Sequence, residues 1–173
     1  MLSGCKSDSD LNRMIEIRQS LLGSNVCSFD LEVAADYVDS LFEFSMRCQA
    51  DSTGTVNFEI TSPETLAGVS GKIEAEKGQI IFDDTVVVFD LLTDGLATPI
   101  SAPWLLIHTL RGGYINAAGA DGELCLFQID DSYAEETLRL DIWIDQTDVP
   151  VAADILWNGR RIVALTIKNF RFV

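Results

Sequence analysis

Histidine is almost missing from this 173-residue sequence: His108 stands alone. Zinc sites built on several histidines are therefore excluded. The four cysteines, at positions 5, 27, 48 and 125, are too scattered for a zinc pattern. A Ser-His-Asp triad would have to use His108, which lies inside an apolar run, and no Gly-x-Ser-x-Gly elbow occurs. Basic residues are scarce as well. Twelve Lys and Arg stand against 27 Asp and Glu, a net charge of −15. A field of that sign repels phosphate backbones and anionic membrane surfaces, which argues against nucleic acid and against a direct electrostatic hold on a membrane. No apolar run approaches the roughly 20 residues of a membrane helix. Gly68 to Lys72 is too short for a phosphate loop and has no Ser or Thr after the lysine. Asp83-Asp84 and Asp130-Asp131 offer oxygen ligands for calcium, but paired aspartates at turns are ordinarily turn formers. No carboxylate pair has the context of an acid–base couple. The expectation is a binding fold, not an enzyme, with no metal and no cofactor.

What is present is a folded β protein. Apolar residues make up 47% and charged residues 23%, enough for one domain with a substantial core. From Glu136 onward, Leu138, Leu140, Ile142 and Ile144 alternate with Arg139, Asp141, Trp143 and Asp145, the period of a strand with one buried face. Val149 to Trp157 is a second extended run. Asn158-Gly159 is a strong hairpin signal, and Arg160 to Phe172 returns as a third strand. At the other end, Ser9 or Asp10 can cap a helix whose Leu11, Met14, Ile15, Leu21 and Leu22 fall near one side, with Gly23 as its stop.

Two alternating runs follow that helix. Folding them about the Tyr37-Val38 midpoint sets Val33 opposite Phe42, Leu31 opposite Phe44 and Phe29 opposite Met46, with all the apolar side chains on one face. The same register sets Cys27 opposite Cys48. A cross-strand disulfide between them is one reading, permitted outside the cell; two buried free thiols is the other.

Val56, Phe58 and Ile60 mark a further strand. Gln79 to Phe82 and Thr85 to Leu91 form a hairpin, and the β-branched run Val86-Val87-Val88 reads as a strand covered on both sides. After a loop, Ser101 can cap a short helix with Pro103 in its first turn. Trp104 to Leu110 is apolar on nearly every side and must be enclosed. Tyr114 to Ile129 makes one more hairpin. The order is helix, about six strands, a buried short helix, then five strands. So long a sheet curls or closes. The expected architecture is mainly β: a strongly curved antiparallel sheet forming a half-open barrel, with the N-terminal helix and the short internal helix on its concave side.

Leu2-Ser3-Gly4-Cys5 looks like a bacterial lipobox, the site at which a signal peptide is cut and the cysteine acylated. On that expectation the natural chain begins at Cys5, Met1 stands in place of a longer leader, residues 1–9 form a flexible tether, and residues 10–173 form a single half-barrel domain. The whole pattern resembles the lipoprotein carrier and receptor proteins of the bacterial envelope (LolA/LolB-like), and more closely their lipid-anchored Gram-positive relatives. The resemblance is carried by the helix Leu11 to Leu22 leading into Phe29 to Ala50, the plug-like Pro99 to Leu110, and the ending Asp141 to Asp145, Val149 to Val151 and Asn169 to Phe172. It implies an unclosed antiparallel barrel around an apolar cavity, acyl-chain binding, an extracytoplasmic, membrane-anchored location, and in some members partner docking. A lipid-anchored protein does not shuttle freely, so binding or docking is expected in place of soluble transport.

An acyl site needs an apolar hollow with few polar groups. The residues for it are Phe29, Leu31, Phe42, Phe44, Met46, Phe58, Trp104, Leu105 and Ile107. The alternative is that these side chains fill one another's space, as interiors normally do. Two functions follow: a lipid-anchored protein binding an acyl chain or lipidated ligand, or an adaptor that docks a cell-wall or membrane protein with its hollow filled.

Overall fold

The structure, a computed structural model, describes residues 8–37, 40–74, 77–82, 85–90, 92–93, 96–133 and 137–172. Helix α1 (Asp8–Gly23) leads into β1 (Val26–Tyr37), β2 (Ser40–Asp51), β3 (Val56–Ser62), β4 (Ser70–Glu74), β5 (Lys77–Phe82) and β6 (Thr85–Asp90). A two-residue pair, β7 (Leu92–Thr93) and β8 (Leu96–Ala97), precedes a 3-10 turn (Pro99–Ser101) and helix α2 (Ala102–Gly112). The chain ends with β9 (Tyr114–Asp121), β10 (Leu124–Asp130), β11 (Leu138–Ile144), β12 (Pro150–Trp157) and β13 (Arg160–Phe172). All pairings in the main sheet are antiparallel, in the order β6-β5-β4-β3-β2-β1-β13-β12-β11-β10-β9. The sheet does not close; β6 and β9 are its ends. The expected half-open barrel with two helices is the observed architecture.

Alternation builds the core. In β11 the buried residues are Leu138, Leu140, Ile142 and Ile144, as their spacing predicts. Register carries that face across the sheet: Phe127 lies opposite Ile142, Ile142 opposite Ala153, and Ala153 opposite Leu165. Asn158 and Gly159 both have positive φ, 49° and 77°, as a tight two-residue turn requires.

The β1–β2 register differs from the expected one by two residues. Val33 faces Phe44, Leu31 faces Met46 and Phe29 faces Cys48. A slip of two keeps every side chain on its own face, so burial is satisfied either way. Tyr37 opposite Ser40 closes the hairpin.

The inward face is covered by α2. Ala102 to Ile107, Thr109 and Leu110 are all buried, and His108 alone of that run is exposed. The Ser101 hydroxyl donates to the Thr98 carbonyl at 2.6 Å and does not cap α2, contrary to expectation. α1 buries Met14, Ile17 and Leu21, while Ile15 and Leu22 face outward. The helix therefore sits rotated from the expected stripe, with Arg18 on its inner side. The Arg18 guanidinium donates to the Leu110 carbonyl at 2.7 Å and to the Gly113 carbonyl, two acceptors at the end of α2. Arg13 bonds Asp148 (2.8 Å) and the Asp145 carbonyl (2.8 Å), pinning α1 to the β11–β12 turn.

Two turns share one design. Asp51 Oδ1 accepts from Thr53 N (2.8 Å), Thr53 Oγ1 (2.6 Å) and Thr55 N (3.1 Å). Asp145 Oδ1 accepts from Thr147 N (2.8 Å), Thr147 Oγ1 (2.8 Å) and Val149 N (3.0 Å). The fourth residue has positive φ in both: Gly54 at 89°, Asp148 at 64°. Burial opposes ionisation of each carboxyl and is the largest single influence. The converging hydrogen bonds together outweigh it and hold both pKa values below the ordinary 3.8. A lowered carboxyl pKa stabilises the fold above the unfolded-state value, and that contribution is lost as pH falls through the lowered one. Acid titration of the fold, followed by circular dichroism, should therefore show a shallower loss of stability below about pH 4 in Asp51→Asn/Asp145→Asn than in the unaltered chain.

The β3–β5 region packs through a glycine. A Cβ on Gly71 would lie 2.2 Å from the Gln79 carbonyl oxygen and 2.5 Å from the Phe58 ring, so the ring lies over bare backbone. Gly71→Ala should cost about 1–3 kcal/mol by overpacking, read as a lower urea midpoint with an unchanged slope.

Candidate functional site

The nine residues named for an apolar hollow share the inward face or α2, but they divide by position. Phe29, Leu31, Met46, Phe58, Trp104, Leu105 and Ile107 are 0–8% exposed and belong to one continuous core. They lie where α2 covers the sheet. Phe44 is half-buried and Phe42 is 46% exposed, because the β1–β2 tip runs beyond the helices. Phe42 meets the Tyr37 ring edge-on at 6.2 Å.

The helices pack chiefly on β2, β9, β10 and β12. Strands β5 and β6 extend past them as a wing. Register places Gly71 opposite Ile80 and Ile80 opposite Val87, continuing the inward row that holds Phe29, Cys48 and Phe58. On that face Phe82 is 60% and Val87 54% exposed, with Ile80 and Phe89 half-buried. Ile81, Val86 and Val88 are exposed on the outer face. The expectation that Val86 to Val88 is covered on both sides is therefore corrected. β6 ends the sheet, and among the described residues no element covers either face here. The inward wing residues Ile80, Phe82, Val87 and Phe89 were missed in the sequence reading. Their parity with Ile73 and Phe58 was the available signal.

Of the two readings of Cys27 and Cys48, the structure has the two buried free thiols. Cys27 lies opposite Ala50 and Cys48 opposite Phe29, so the two cysteines are diagonal neighbours, and both thiols are free. Diagonal positions sit roughly 7–8 Å apart, beyond the usual span of a bridge. Burial pushes the Cys27 thiol up to about 12 and the Cys48 thiol well above its ordinary value, which suppresses thiolate chemistry. Cys5 and the Asp83-Asp84 pair lie outside the described residues. Asp130 and Asp131 are engaged by protein donors: Arg139 Nε on Asp130 at 3.0 Å and Leu138 N on Asp131 at 3.0 Å. Among the described residues no group of three His, Cys, Asp or Glu converges to hold a metal.

The outer face is acidic. Asp141 lies directly opposite Asp154, and burial raises the Asp141 pKa although Gln128 donates to both its oxygens. At the opposite end of the wing from Phe82, a hollow of about 560 Å³ opens between α2 and the β2–β3 turn. Its walls include Thr53, Thr55, Glu74, Trp104, His108 and Arg111. His108 therefore sits at a rim, stacked on Trp104 with ring centres 4.4 Å apart.

No family model matches the chain, and no curated protein matches it by sequence. Solved structures do match its fold. An uncharacterized conserved protein from Thermus thermophilus is 12% identical, with 94% of this chain and 87% of that one covered and a TM-score of 0.52. A DUF1329 family protein from Desulfovibrio piger is 7% identical, with 95% and 92% covered and a TM-score of 0.51. A LolA superfamily protein from Nitrosomonas europaea is 7% identical over 95% and 93%, with a TM-score of 0.48. The fold is the one that the resemblance implied, an unclosed antiparallel barrel with helices over the inward face. No described helix is long and apolar enough to cross a membrane.

With Cys27, Cys48 and Cys125 all free, intact mass measured with and without reductant should show no two-dalton shift. A shift would require a bridge to Cys5 or one that this register does not permit.

Proposed function

We propose that this chain is a lipid-anchored, extracytoplasmic binding protein, without enzymatic activity, that takes an acyl chain or a lipidated ligand on the open part of its half-barrel. The observation that carries this reading is the uncovered apolar wing: Phe82 and Val87 exposed, Ile80 and Phe89 half-buried, all facing inward. Phe42 and Phe44 extend the strip at the β1–β2 tip. The four buried candidates of the sheet, Phe29, Leu31, Met46 and Phe58, form the floor, and Trp104, Leu105 and Ile107 belong to α2, which rests on it. An exposed apolar patch with inward curvature fits a flexible hydrocarbon, which needs area and few polar groups. Cys5, in its lipobox-like context, is the acylation site in this reading. Acyl chains there add roughly 0.8 kcal/mol of membrane affinity per buried CH₂. Residues 1–9 act as the tether and 10–173 as the binding domain.

A second reading has its own observation. Ile81, Val86 and Val88 leave the outer face of the wing apolar as well, and a hydrocarbon on the inner face does not cover them. An adaptor that docks a cell-envelope protein through β5 and β6 would use both faces. In fluorescence titration the unaltered protein should take up a fluorescent fatty acid with micromolar affinity, about −8 kcal/mol. Phe82→Asp and Val87→Asp should each weaken uptake at least about tenfold, since each puts a charge where hydrocarbon would lie. No uptake by the unaltered protein, together with capture of a basic envelope protein that salt releases, would establish the adaptor instead.

A further inference from the structure

The geometry points to a specific oxyanion site in the hollow beside α2, which receives the phosphate or carboxylate head of the amphiphile whose chain lies on the wing. The inference rests on the acyl-binding reading for its tail and on the hollow alone for its head.

Trp104, His108 and Arg111 lie at positions i, i+4 and i+7 of one helix, so they line one side of α2. That side faces the β2–β3 turn across the hollow of about 560 Å³. Most cations of this acidic chain are spent on carboxylates: Arg13 on Asp148, Arg47 on Glu59, Lys72 on Glu74, Arg139 on Asp130, Arg160 on Asp36, Arg161 on Asp154 and Lys168 on Glu32. Arg111 makes no ion pair among the described residues. Its Nη2 donates to the Ser52 carbonyl at 2.7 Å, which fixes the guanidinium at the wall and leaves its planar fork for an oxyanion. The stack on Trp104 fixes the His108 ring, whose N–H is a second donor. Across the hollow the Thr53 and Thr55 hydroxyls lie 3.0 Å apart, with the Thr53 proton already given to Asp51. Glu74 is the one carboxylate among the described lining residues, and Lys72 Nζ pairs with it at 2.7 Å.

The hollow lies toward the end of the wing away from Phe82, beyond the last residues of β4. Glu74 follows Ile73 in β4, and Ile73 pairs with Gly78, which pairs with Phe89. From Gly78 to Phe82 the inward face of β5 runs about 13 Å at the strand rise. A chain laid along β5 and β6 therefore has its charged end at Arg111 and its tail toward Phe82.

Two arms test head and tail separately, using the full, untagged chain. In the first, a fluorescent fatty acid and its uncharged methyl ester are titrated. The acid should bind about tenfold tighter than the ester, the scale of a hydrogen bond to a charged group. Arg111→Gln and, independently, His108→Gln should reduce that preference and leave ester binding unchanged. In the second arm, inorganic phosphate is titrated while the His108 ring signal is followed by NMR, unambiguous because the chain has one histidine. Phosphate should move the signal in the unaltered chain and not in Arg111→Gln. Phosphate binding without uptake of either amphiphile would support the oxyanion site and remove the acyl reading. Equal binding of acid and ester, with a His108 signal that phosphate does not move, would overturn the site. So would a phosphate response unchanged in Arg111→Gln.

Discussion

An open eleven-stranded antiparallel sheet has two broad faces, and the described residues supply two helices to cover one of them. The arrangement depends on the burial of α2 against the inward face. Leu106 and Ile107 are fully buried, and of the run from Ala102 to Leu110 only His108 reaches solvent. A helix this apolar is not stable alone in water. Equally, the strands beneath it carry an inward row of Phe, Ile and Leu that needs a cover. Each element supplies the apolar surface the other lacks. α1 completes the cover through Met14, Ile17 and Leu21.

The same economy explains the wing. Eleven helical residues span roughly 16 Å, and the sheet is far wider than that at 4.7–4.9 Å per strand. Helices set over β2 and over β9 to β12 leave β5 and β6 open at Phe82 and Val87. The inward apolar row does not stop where the cover stops. It runs on through Ile80 to Val87, and this excess of apolar surface over cover is what the functional reading interprets.

Much of this was legible from residue spacing. Strand parity in β11, the Asn158-Gly159 turn, the enclosed α2 and the element order follow from local pattern, because period and turn chemistry act over a few residues. What was not legible required knowledge of distant neighbours. A two-residue slip between β1 and β2 leaves every apolar side chain facing inward, so alternation could not distinguish Cys27 opposite Cys48 from Cys27 opposite Ala50. Ile17 replaces Ile15 on the buried side of α1 because Arg13 and Arg18 anchor the helix to carbonyls far away in sequence. Val86 to Val88 read as a covered strand, since a β-branched run has the same composition under a helix or at a bare edge. Arg111 gave no signal at all: its separation from carboxylates is a property of the fold alone.

Arg18 has a mechanical consequence. Its guanidinium joins the middle of α1 to the carbonyls of Leu110 and Gly113, on either side of Arg111. Tension applied at the start of α1 is therefore not absorbed by that helix peeling away alone. The load passes through one side chain to the last turn of α2 and reaches the backbone that carries the hollow's cation.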